Sequence, residues 1–119
     1  MNSVKLTINK REIEFHFGLY FLGELLEELD ISFDEMNIKL NKNPFKFVPQ
    51  LMYISAKYAY TRKSEVIDFD MFTLVDWIEE DGGFANDNIS NFLSSFTSSL
   101  SKDVPKEDNT KSVNKTKKK

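Results

Sequence analysis

The chain has no cysteine, one histidine, four glycines and three prolines among 119 residues. Without cysteine there is no disulfide framework, no thiolate nucleophile and no sulfur-liganded metal site. The single histidine, His16, falls on the polar face of a predicted strand. A general base needs a positioned partner, and none is implied there. No serine stands in a nucleophile-elbow context, and no glycine pattern suits a phosphate cradle. These absences predict a protein that is not an enzyme and needs neither cofactor nor metal. Long apolar runs are lacking as well: none approaches the ~20 residues that span a bilayer, and the first twenty residues alternate apolar with charged instead of forming a signal peptide. The expected place of the chain is therefore the cytosol, away from the membrane.

What charge there is lies unevenly. Residues 1–100 carry 9 Lys and Arg against 16 Asp and Glu, a net of −7, whereas residues 101–119 carry 7 Lys against 3 acids, a net of +4. An acidic body opposes phosphate backbones, whose binding draws on clustered Lys and Arg, so nucleic acid is not the expected partner. The basic end lacks aromatics on which bases stack. It also lacks the apolar content that offsets ordering entropy, so residues 101–119 are predicted to be a disordered lysine-rich tail and residues 1–100 a single domain.

The organising stretch is 4–29, VKLTINKREIEFHFGLYFLGELLEEL. Val4, Leu6 and Ile8 alternate with Lys5 and Thr7, and Ile13, Phe15 and Phe17 alternate with Glu12, Glu14 and His16, which gives two strands with one apolar face each. Asn9-Lys10-Arg11 is the turn, because Asn tolerates the positive φ of tight hairpins. Gly18 then marks the change of direction, and Leu22, Leu25, Leu26 and Leu29 fall at helical spacing before Asp30 closes the helix.

A second helix is predicted over 33–40, started by a capping box of Ser32 and Glu35, with Met36 and Leu40 inward and 41–44 as a loop. A third spans 47–61, with Pro49 in its first turn and Val48, Leu51, Met52, Ser55, Tyr58 and Ala59 facing inward. Tyr53, Tyr58 and Tyr60 at this spacing read as packing before they read as a ligand-stacking wall. A fourth helix follows an N-cap at Asp68, runs to about Glu80 and stops at Gly82-Gly83. Its acids Asp76, Glu79, Glu80 and Asp81 read as a solvated face, since no ligand-spaced loop accompanies them. Between Asn88 and Ser101 no residue is charged, and Ile89, Phe92, Leu93, Phe96 and Leu100 share one helical stripe opposite Ser, Thr and Asn. Such a polar face makes a mediocre helix that depends on what its stripe touches. The stripe is the last helix of the core, or it docks weakly and exchanges onto a partner. On the second reading these five residues are the candidate partner-binding site. The fold class that emerges is α+β, an N-terminal β-hairpin packed on four or five helices.

A hairpin and helix spelled LTINKREIEFHFGLYFLGEL, opening a short helical chain with a lysine-rich end, resembles the tail assembly chaperones of long-tailed bacteriophages. The family pattern usually has glycine in the turn, where this chain departs with Lys10. The resemblance implies a chaperone that acts in the host cell cytoplasm and is not part of the mature virion. It would coat apolar helical segments of the tape measure protein, help to recruit tail tube protein, and associate with itself. Genes of this family end on a lysine-rich stretch where ribosomes slip to make a longer product, and Lys117-Lys118-Lys119 is compatible with slippery codons. A small regulatory or adaptor protein binding one folded partner is the alternative from a different class.

Overall fold

The computed structural model describes residues 2–103. The chain folds as an antiparallel hairpin of β1 (Ser3–Ile8) and β2 (Arg11–His16) with helices α1 (Leu19–Leu29), α2 (Phe33–Lys42), α3 (Pro44–Arg62), α4 (Met71–Glu80) and α5 (Asp87–Asp103), and a 3₁₀ turn at Gly83–Ala85. The lysine-rich tail lies outside the described residues, except that α5 continues through Asp103.

The strand register sets Val4 opposite Phe15, Leu6 opposite Ile13 and Ile8 opposite Arg11. Asn9 and Lys10 are therefore a two-residue turn, and both have positive φ, 53° and 66°. That is the mirror-image turn whose twist suits a hairpin, formed here without the glycine that favours it. Two side chains from the far end of the sequence tie down the hairpin tip: the Asp81 carboxylate accepts from the Asn9 N–H, and the Asn88 amide donates to the Thr7 carbonyl at 2.7 Å.

Helix α1 ends as its sequence suggests, with Asp30 in the left-handed conformation at φ 55°. The capping box of Ser32 and Glu35 is present at the start of α2. Three boundaries differ from expectation. Asn41 and Lys42 belong to α2, and only Asn43 separates α2 from α3, because Pro44 opens α3 at a position where its missing N–H costs nothing. Pro49 consequently sits inside α3 and not in its first turn, so one backbone hydrogen bond is lost there. The cap of α4 is Asp70, whose carboxylate accepts from the Thr73 N–H at 2.8 Å. Asp68 instead pairs with Arg11.

Helix α3 is the central element. Phe47, Val48, Leu51, Met52, Ile54, Ser55, Ala56 and Ala59 are all buried, so it is covered on more than the one stripe expected. The Ser55 hydroxyl donates to the Met52 carbonyl, which satisfies it within the core. The apolar face of the hairpin meets α5. Phe92 lies edge-on to Phe15 at 5.3 Å and to Phe17 at 5.4 Å between ring centroids, and Phe96 stands 5.8 Å from Phe17 and 6.3 Å from Phe21. Edge-to-face rings at these separations add to the burial itself, which for a Phe contributes about 1.5–3 kcal/mol.

Candidate protein-binding surface

The five residues of the uncharged stripe separate into two groups. Ile89, Phe92 and Phe96 are buried at 3%, 0% and 1% exposure, whereas Leu93 and Leu100 are partly buried against the same core. In the isolated chain the stripe is thus occupied by the hairpin and α1. Any contact of Phe92 or Phe96 with another molecule requires α5 to leave its place.

The surface that is free in this conformation lies elsewhere. Phe45 at the start of α3 is 72% exposed, and its ring packs 4.9 Å from that of Phe84 in the 3₁₀ turn. Phe72 on α4 is equally exposed, and Leu19 and Tyr20 open α1 largely in water. By residue type alone these side chains read as core, and only the fold places them outside. Tyr20 stacks near Tyr58 at 6.1 Å, and Tyr58 in turn lies 5.6 Å from His16.

The polar surroundings of the hairpin serve to hold it. Arg11 donates to Asp68 and to the Tyr60 hydroxyl, and its guanidinium lies 4.9 Å over the Phe69 ring and 5.2 Å over that of Trp77. A cation over aromatic faces with a carboxylate partner is a stabilising arrangement that joins the hairpin end to the segment before α4. Nothing in the spacing of Arg11, Tyr60 and Asp68 announced this contact. Lys63 donates to Glu14, which holds the Glu14 carboxyl below its ordinary range and raises Lys63. Burial, with Arg62 nearby, lowers His16 against the opposing effect of Glu14. Of the acids at the end of α4, Asp81 is engaged by the hairpin turn. Among the described residues no group of His, Asp and Glu could hold a metal ion, and no helix is long and apolar enough to cross a membrane.

A groove of about 520 Å³ runs between the end of α1, α2 and the first half of α3. Leu29, Ile38 and Phe47 contribute apolar wall, and Lys39, Lys42 and Lys46 contribute the only charges among its lining residues. Comparison with protein-family models, with curated proteins and with solved structures finds no match for this chain.

Proposed function

We propose that this chain is a bacteriophage tail assembly chaperone that binds the tape measure protein and helps to recruit tail tube protein in the host cytoplasm, without entering the mature virion. The observation that carries the reading is the exposed Phe45–Phe84 pair, held on a hairpin-and-helix body whose own apolar stripe is already used in its core. Large apolar groups left in water on a small body mark protein contact surfaces, and aromatic side chains anchor such contacts. The resemblance of the hairpin and first helix to tail assembly chaperones supplies the identity of the client. An apolar helix of a tape measure protein would find two adaptable rings at this pair.

Co-expression with a tape measure protein from the same genome tests the reading. The tape measure protein should become soluble and co-purify with the chain, and Phe45→Ser with Phe84→Ser should reduce the yield of complex while leaving the chain folded. A tape measure protein whose solubility is unaffected by the chain would refute the assignment. Capture of one folded regulatory partner in its place would favour the adaptor reading.

A further inference from the structure

We infer that the groove between α1, α2 and α3 is a docking site for an acidic amphipathic helix of a partner protein, with apolar residues of that helix on Leu29, Ile38 and Phe47 and its carboxylates on Lys39, Lys42 and Lys46. The inference does not depend on the identity of the client in a phage tail.

Charge selects the occupant. The body up to residue 100 has 9 cationic side chains against 16 acidic ones, yet three of the nine line this one groove and no acid lines it. Lys39, Lys42 and Lys46 are all exposed, and none of them is in an ion pair among the described residues, whereas Arg11, Lys57 and Lys63 are. A local basic groove on an acidic body attracts carboxylates and steers them to one place.

The floor decides between kinds of anion. Ile38 is 51% exposed, Leu29 is partly buried and Phe47 is buried beneath them, so an occupant that supplies only phosphate leaves apolar surface in water. The groove offers no exposed aromatic ring for a base to stack on, and the acidic body repels a polyanion. A volume of about 520 Å³ lies within the range of sites that bury a peptide anchor or a drug-sized ligand. The chain's own residues 104–119 are excluded as occupant because they are themselves basic. A helix with leucines at i, i+3, i+4 and i+7 flanked by glutamates satisfies both floor and rim.

The test uses the full chain and a fluorescein-labelled helical peptide of that pattern, with two counterparts in which every Glu is replaced by Gln or by Lys, read by fluorescence anisotropy. The Glu peptide should bind at least several-fold more tightly than the Gln peptide, and its affinity should fall as salt rises. Lys39→Glu with Lys42→Glu and Lys46→Glu should weaken the Glu peptide about tenfold or more and strengthen the Lys peptide, a gain that only a folded variant can show. Lys42→Glu alone should move both affinities in the same directions by less. Ile38→Ser, which removes apolar floor without adding charge, should weaken all three peptides. Equal affinities for the Glu and Gln peptides, or an unchanged affinity in the triple variant, would overturn the inference. So would tighter binding of oligothymidylate than of the Glu peptide, which would make the groove a polyanion site.

Discussion

Truncating Phe92 to alanine removes the ring on which the hairpin and α5 converge. The side chain is fully buried among the rings of Phe15 on β2, Phe17 just beyond it and Phe96 on α5 itself, so the resulting cavity is walled by large packed side chains that relax only in part. Core Phe→Ala substitutions cost about 3–5 kcal/mol. A domain of this size has about 5–15 kcal/mol in total, so the variant should be at the edge of stability. At about 4–8 °C per kcal/mol, the thermal midpoint should fall by roughly 12–40 °C. Phe92→Leu keeps most of the volume and should cost about 1.5 kcal/mol or less. Phe45→Ala is the control: the same chemistry at a 72% exposed site should shift stability by less than about 0.5 kcal/mol. Urea unfolding followed by far-UV circular dichroism and Trp77 fluorescence gives the three numbers on one scale. If Phe92→Ala were within about 1 kcal/mol of the parent chain, α5 would not be docked on the hairpin, and the reasoning that places the stripe in the core would fail.

Four further outcomes are expected. Lys10→Gly should stabilise the chain by about 0.5 kcal/mol in the same urea assay, since relief of the left-handed strain at φ 66° exceeds the added freedom of glycine in the unfolded chain; a destabilised variant would mean that the turn is not of this type. Because His16 titrates below its ordinary 6.5 when folded, the unfolded chain takes up the proton first, and stability should fall as pH drops through about 6.5; His16→Asn should flatten that part of the profile, and an unchanged slope would remove His16 from it. Glu14 acts lower on the scale. Its carboxyl is depressed from 4.5 by Lys63, so its contribution is present above that value and is lost as pH falls further; Lys63→Met should reduce this acid loss. Deleting residues 104–119, which contain only two valines among their large apolar side chains, should leave the thermal midpoint unchanged, whereas a clear drop would show that this segment docks.

The hairpin, the capping box and the apolar stripes of α1 and α5 were legible because each rests on local chemistry: alternation at Ile13, Phe15 and Phe17, a Ser32–Glu35 pair three residues apart, and helical spacing of apolar residues. The boundary between α2 and α3 was obscured by Asn41, whose turn preference is overridden when Met36, Leu40 and Phe47 are all drawn to one core, so that Asn43 alone keeps a non-helical conformation. The cap of α4 was misplaced because Asp68 and Asp70 are equally good locally, and what decides between them is a contact of Asp68 with Arg11, 57 positions away. The candidate surfaces were not legible at all. Phe45 and Phe84 look like core residues by type, and they meet only because α3 and the 3₁₀ turn are neighbours in space. The groove lysines come from two helices, and their unpaired state depends on which acids the fold carries away from them.

Cross-linking mass spectrometry on infected cells during tail assembly tests the account of this chain as a tape measure chaperone most directly. The account predicts cross-links from the surface lysines of this chain to helical segments of the tape measure protein in assembling material, and none of the chain in purified virions. Cross-links confined to another protein, or the chain recovered as a constituent of the mature particle, would contradict it.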